Sequence, residues 1–255
     1  MKTCIIEAHR GVGTDCPEET ITAFRAAVAQ GYGMIELDTK FTKDNQCVLL
    51  HDGTVNRTGR AQDGSVLKKE LRIDEITLAE AQQLDFGIWK DPVFAGEKIA
   101  TLEQALTLAM GAAIPLKFDN VLWCHTEEQQ QIFFDTIKAM GAEYITEITC
   151  NSVSQIEKAL RQLPGIQIHY DGPVSPERMA EVAAVVPKEQ LTTWIRFDNK
   201  ITAWCKNPAV NVENAALVKQ YGKLGVWLIT QEEEMRTAVE AYGADIIETD
   251  GTLKP

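Results

Sequence analysis

No apolar run in this 255-residue sequence approaches the roughly 18–20 residues that a membrane-spanning helix needs. The start, MKTCIIEAHR, has too short an apolar stretch before its charges to act as a signal peptide. Ordered cysteine spacing is also missing. Cys4, Cys16, Cys47, Cys124, Cys150 and Cys205 are scattered, with no CxxC pair and no zinc-type spacing, which fits a reduced, cytoplasmic chain. Positive charge is short: 25 Lys and Arg against 37 Asp and Glu give a net charge of -12 and a pI near 4.9. Such a field repels nucleic acid and anionic membrane, so neither is an expected partner, and no membrane insertion is expected. An anionic substrate would need a local positive site. There is no low-complexity segment and no linker rich in Pro, Gly or Ser, so residues 1–255 read as one unit.

What the sequence does contain centres on Met34–Asp52, MIELDTKFTKDNQCVLLHD. Glu36 and Asp38 are two apart and therefore share one face of a strand. His51 and Asp52 follow after a stretch too short for a helical crossover but suited to a hairpin. Asp44-Asn45 is an acceptable two-residue turn, because both residues tolerate positive φ. That turn sets Asp38 directly opposite His51, with Cβ atoms about 5 Å apart.

The rest of the chain alternates apolar strands with amphipathic helices. Expected strands are Thr3–His9, Gly33–Asp38, Ala113–Asp119, Tyr144–Thr149, Ile166–Tyr170, Thr192–Phe197, Gly225–Ile229 and Ala244–Glu248. Helices are expected between them, including Glu19–Gln30, Thr101–Met110, Glu127–Met140 and Val212–Tyr221. Residues 53–100 are polar and turn-rich, an insertion above the hairpin. Eight strands with intervening helices at this length predict an α/β fold, a (β/α)8 TIM barrel; a doubly wound open sheet is the competing arrangement. Six strand ends read AHR, ELD, LKFD, IHYD, IRFD and ETD, and in a barrel they all gather at the catalytic mouth.

His9, ending the first strand, would face Glu36 and Asp38 across that mouth. Carboxylate oxygens suit a hard divalent cation, Mg²⁺ or Ca²⁺. Two imidazoles suit general acid and general base, because they titrate near neutrality. Arg10 and Lys117 supply fixed positive charge for a phosphoryl oxygen. The chemistry these residues suit is metal-assisted hydrolysis of a phosphodiester. A lone strand histidine is more often structural, which is the reading for His125 and His169. Arg57 reads as an anchor of the insertion, and Asp52 as a partner for the His51 ring or a turn cap. Trp227 and Phe118 read as wall and core. Glu248 and Asp250 are acids whose place the sequence leaves open.

Several stretches resemble the glycerophosphodiester phosphodiesterase family: AHRG at 8–11, PEET at 17–20, IELD at 35–38, VLLHDGTVNRT at 48–58, LDFGIW at 84–89, FAGEKIATLEQAL at 94–106, GVWLIT at 225–230 and ADIIETD at 244–250. They keep their order over nearly the whole chain. The resemblance implies a barrel with a small insertion after the hairpin, His9 and His51 as the acid/base pair, Glu36 and Asp38 on Mg²⁺ or Ca²⁺, and Arg10 and Lys117 on the phosphate. It implies hydrolysis of a small-molecule phosphodiester such as glycerophosphocholine to glycerol 3-phosphate and an alcohol. A lysophospholipase D-like activity and a non-catalytic phosphodiester-binding role are the rivals. Three departures stand out. The family's metal-binding Glu two residues before the strand lysine is Pro115, and Asp119, of the same strand parity, is the expected replacement ligand. Glu19 stands where the family has Asn. Glu7 is an acid in a normally apolar strand, with the inward parity of His9.

Overall fold

The computed structural model describes residues 4–198 and 208–255; Thr3, which heads the first expected strand, and Cys205 lie outside the described residues. The chain begins with strand β1 (Ile5–His9), helix α1 (Ile21–Gln30) and strand β2 (Met34–Leu37), and then leaves the barrel as a hairpin of β3 (Thr39–Phe41) and β4 (Cys47–Leu49). The insertion carries the one-turn helix α2 (Leu78–Ala81). Regular alternation resumes with α3 (Leu102–Ala112), β5 (Leu116–Phe118), α4 (Glu127–Met140), β6 (Thr146–Cys150), α5 (Val153–Gln162), β7 (Gln167–Tyr170), α6 (Pro176–Ala183) and β8 (Leu191–Arg196). It ends with α7 (Val212–Tyr221), β9 (Lys223–Trp227), α8 (Glu232–Glu240) and β10 (Ile246–Thr249).

Eight parallel strands close a barrel in the order β1-β10-β9-β8-β7-β6-β5-β2. The open doubly wound sheet is thereby excluded. The hydroxyls of Thr20, Thr101, Thr126, Ser152 and Ser175 cap the starts of α1, α3, α4, α5 and α6, each taking a backbone N–H of the first turn. Outward strand residues such as Ile35, Leu37, Leu116, Phe118, Ile148 and Ile168 pack under the helices with Phe24, Phe133 and Phe134. The alternate parity turns inward and is unusually polar: Glu7, Glu36, Lys117, His169 and Glu248 are all buried.

His169 belongs to this interior rather than to the mouth. Its Nδ1 accepts the Trp194 indole N–H at 2.7 Å, and its Nε2 lies 2.5 Å from Glu147 Oε2. Indole only donates, so Nδ1 is bare and the hydrogen sits on Nε2. The ring is held neutral, the side to which burial already pushes it. His125 likewise is structural: Nε2 meets the Thr39 carbonyl at 2.9 Å and its ring stands edge-on to Phe41, bracing the hairpin.

The hairpin register differs from the expected one. Thr39 pairs with Leu49, Lys40 with Val48 and Phe41 with Cys47. The loop is three residues, Lys43-Asp44-Asn45, closed by Thr42 N–H on the Gln46 carbonyl at 3.0 Å, with Asn45 in the left-handed region at φ 56. A type I turn followed by a left-handed residue is the next commonest hairpin loop after the two-residue form. Asp38 therefore faces Leu50, whose N–H donates to its carbonyl at 3.0 Å, and His51 falls one residue beyond the ladder. Above the hairpin the insertion has its own apolar cluster of Val48, Leu50, Val55, Ile73, Ile76, Ala81, Phe86 and Ile99. Asp85 organises its far end by accepting the N–H groups of Gly87, Ile88 and Gly96.

Candidate active site

At the C-terminal ends of the strands lies a cavity of ≈ 490 Å³. His9, Arg10, Glu36, Asp38, His51, Lys117 and Asp119, the seven residues singled out from sequence, all line it. Asn120, Thr149, Asp171, Trp194, Trp227 and Glu248 complete most of the wall. Five acids face two fixed cations in this lining.

The turn after β1 sets the first group of contacts. Arg10 and Gly11 are both left-handed, φ 53 and 79, and a Cβ on Gly11 would come within 2.8 Å of Ala23 Cβ on α1. Only glycine allows α1 to approach so closely there. The turn aims the Arg10 N–H at Glu36 Oε2 (3.1 Å) and its guanidinium at Asp38 Oδ2 (Nε at 3.3 Å) and Glu18 Oε1 (Nη1 at 3.1 Å). Glu36 Oε2 is 3.8 Å from His9 Nε2. Burial lowers the pKa of His9 below 6.5, partly offset by Glu248.

His51 is held from the other side. Asp52 Oδ1 meets its Nδ1 at 2.6 Å, and Arg57 Nε donates to Asp52 Oδ2 at 2.6 Å. Arg57 also grips Glu18 through both terminal nitrogens at 2.8 Å. Burial alone would raise the Asp52 pKa, but Arg57 and His51 bring it down, so the carboxylate is ionised and accepts. The hydrogen of His51 is thus fixed on Nδ1 and Nε2 is left for the cavity. Arg57 does anchor the insertion, and it does so through the partner of a site histidine. A hydrogen bond from His51 to Asp52 and ion pairs through Arg57, Glu18, Arg10 and Asp38 form one continuous chain.

The acids are crowded. Burial raises Glu36 well above the ordinary carboxylate range, with Asp38 and Glu248 adding to it. Burial, then Asp38, lifts Asp119 to about 6; burial, then Asp119, lifts Asp171 to about 7. Glu19, in the left-handed region at φ 58, accepts the Asp38 N–H at 2.8 Å and is likewise raised, first by burial. Hard oxygen donors short of counter-charge have the chemistry that a divalent cation satisfies. Among the described residues no three His, Cys, Asp or Glu side chains are gathered closely enough to enclose one. Pro115 contributes only its carbonyl, taken by Ile35 N–H at 3.1 Å. Asp171, at the end of β7, does line the mouth, as its strand-end motif IHYD allowed, but nothing in the sequence distinguished it as a site residue. Trp194 was missed too, because an aromatic in a buried strand carries no sign of the face it takes.

The closed barrel thus gathers two histidines and a carboxylate cluster at its C-terminal mouth, the face on which barrel enzymes carry their sites. Comparison with known proteins makes this specific. The sequence model of the glycerophosphoryl diester phosphodiesterase family matches residues 9–252. A glycerophosphodiester phosphodiesterase of Caldanaerobacter subterraneus is 31% identical over 260 residues, covering 98% of this chain and 95% of that one. A putative glycerophosphodiester phosphodiesterase of Bacillus subtilis is 48% identical over 101 residues, a match covering 40% of this chain and 38% of the relative. Among solved structures, a putative glycerophosphoryl diester phosphodiesterase from Silicibacter pomeroyi superposes with TM-score 0.79 at 20% identity, covering 98% of this chain and 90% of that one. An Oleispira antarctica phosphodiesterase solved with the product sn-glycerol-3-phosphate gives TM-score 0.77 at 19% identity, covering 97% and 93%. The chain belongs to the glycerophosphoryl diester phosphodiesterase family, and its reaction class is that of a phosphoric diester hydrolase. No described helix is long and apolar enough to cross a membrane.

Proposed function

We propose that the chain hydrolyses a small glycerophosphodiester, such as glycerophosphocholine, to glycerol 3-phosphate and an alcohol, using Mg²⁺ or Ca²⁺. The observation that carries this reading is the placement of His9 and His51 in one cavity with the Glu36–Asp38 pair. In the proposed chemistry one histidine takes the proton of the nucleophile and the other returns a proton to the leaving alkoxide. The nucleophile is water or the glycerol hydroxyl of the substrate itself, the second route passing through a cyclic phosphate. The Asp52 carboxylate holds the His51 ring in the tautomer that leaves Nε2 for this exchange. Glu36, Asp38 and Asp119 are the proposed holders of the metal, which would have to draw them closer together than they stand here, and Arg10 and Lys117 the proposed phosphate-facing cations. A bound divalent cation would neutralise phosphoryl oxygens as negative charge builds. The product named for the Oleispira antarctica protein agrees with the one proposed here.

The deciding experiment is hydrolysis of glycerophosphocholine by the full chain before and after EDTA. Loss of activity with EDTA and recovery with Mg²⁺ or Ca²⁺ is expected. No turnover of any glycerophosphodiester under either metal overturns the reading.

A further inference from the structure

Below the histidines, the floor of the cavity carries an arrangement the proposed reaction has not used. Lys117 Nζ lies 2.5 Å from Glu7 Oε1, 2.7 Å from Glu248 Oε2 and 3.8 Å from the centre of the Trp194 ring. All four side chains are buried, Glu7 completely. Glu7 and Glu248 are direct cross-strand partners on β1 and β10. Lys117 is level with Glu36 on β2, and Glu7 is level with Met34, one inward position deeper. The ammonium therefore sits on a cradle of two carboxylates and an aromatic face contributed by three strands other than its own. An ammonium has three N–H donors. Glu248 accepts one of them at 2.7 Å, while the Glu7 carboxyl and the Trp194 ring close the ammonium in from two further sides.

Two carboxylates around one ammonium in a dry site leave an uncompensated negative charge, which is costly unless one acid keeps its proton. Glu7 is the one that keeps it. Burial, together with Glu248, raises Glu7 well above the ordinary range, whereas Lys117 and His9 outweigh burial at Glu248 and bring it to about 2. The neutral Glu7 thus completes a cradle around a Lys117–Glu248 ion pair without adding charge beneath a phosphodiester anion.

We propose that Glu7 is a positioning residue for the phosphodiester hydrolysis: with Glu248 it fixes Lys117 so that one ammonium N–H points at the substrate phosphate. This rests on the phosphodiesterase reading. A leucine at position 7 leaves Lys117 only Glu248 and frees the ammonium to lean toward Glu36, its next acidic neighbour. A glutamine preserves the pattern, its carbonyl accepting from Lys117 and its amide donating to Glu248.

The test compares wild type, Glu7→Gln and Glu7→Leu in two assays, after thermal melts establish that each is folded. The first is steady-state hydrolysis of glycerophosphocholine with saturating metal; the second is calorimetric titration with glycerol 3-phosphate. Expected for Glu7→Leu is a kcat about 10- to 100-fold lower, the scale of a misplaced catalytic contact, with KM changed less than about threefold and weaker anion binding. Glu7→Gln should stay within about threefold of wild type in both assays. If Glu7→Leu does not fold, Glu7→Asp takes its place: one methylene shorter, it falls short of Lys117 and should show the same deficit in kcat. Wild-type behaviour of Glu7→Leu in both assays overturns the proposal, as does a Glu7→Gln protein as impaired as Glu7→Leu. A wild type that turns over no glycerophosphodiester overturns the catalytic reading, and the titration then decides the positioning of Lys117 by itself: anion binding lost in Glu7→Leu and kept in Glu7→Gln supports it.

Discussion

Asp52 Oδ1 stands 2.6 Å from His51 Nδ1, while its other oxygen takes the Arg57 Nε–H at the same distance. A carboxylate so placed fixes which imidazole nitrogen is free. Asp52→Asn removes the charge and can present an N–H to Nδ1, favouring the wrong tautomer. The expected result is a kcat about 10²–10⁴-fold lower with a smaller change in KM. Steady-state kinetics on glycerophosphocholine check it; unchanged kcat in a folded variant removes Asp52 from the mechanism.

Asp119 is the proposed substitute for the acid absent at Pro115. Chelator-stripped Asp119→Ala should rebind Mg²⁺ or Ca²⁺ at least about tenfold more weakly than wild type, read by isothermal titration. Equal affinities would leave Glu36 and Asp38 without Asp119 as their third partner.

The crowded acids make the metal-free protein sensitive to pH. Asp119 and Asp171 have folded pKa values of about 6 and about 7, against about 3.9 in an unfolded chain. Between those values the folded state holds protons that the unfolded state has lost, so stability falls as pH rises. Their contribution is intact below about pH 4 and gone once pH passes the folded values. The melting temperature of EDTA-treated protein should therefore drop from about pH 5 to pH 8. Asp171→Asn should flatten the slope by raising stability at the upper end. A variant that melts in parallel with wild type across this range contradicts the assignment.

Gly11 tests the link between the first turn and α1. Gly11→Ala forces a side chain into φ 79 and brings Cβ within 2.8 Å of Ala23 Cβ. A loss of about 1–3 kcal/mol is expected in urea unfolding, and because Arg10 precedes it, kcat should fall as well. A variant as stable as wild type would mean that α1 can shift freely.

The barrel was legible because its signals are redundant: alternating strands and helices, and polar strand ends. Helices α4 and α7 match their expected bounds residue for residue. The hairpin was legible in kind but not in register. Asn45 tolerates positive φ equally as the second residue of a two-residue loop and as the third of a three-residue loop, and those loops differ by one pairing step. The seven candidate residues share one cavity because each ends a strand or closes the hairpin, positions that topology alone brings together. What stayed hidden depends on registers between distant strands. The inward parity of Glu7 could be read from sequence, yet only the pairing of β1 with β10 sets it against Glu248 and beneath Lys117. Trp194 under Lys117 was out of reach for the same reason, as was the pairing of Asp171 with Asp119 within the mouth.

The hairpin of β3 and β4 has a consequence for how such an enzyme can change. His9 ends a strand paired on both sides by neighbours in a closed barrel. His51 hangs from a two-stranded excursion outside that ring, tied back by Arg57 and Glu18 and braced by His125. One histidine is therefore fixed by the pairing of the barrel itself. The other rides on a hairpin outside the ring, so a shift of that hairpin would reset the span between the two histidines without breaking a barrel pairing.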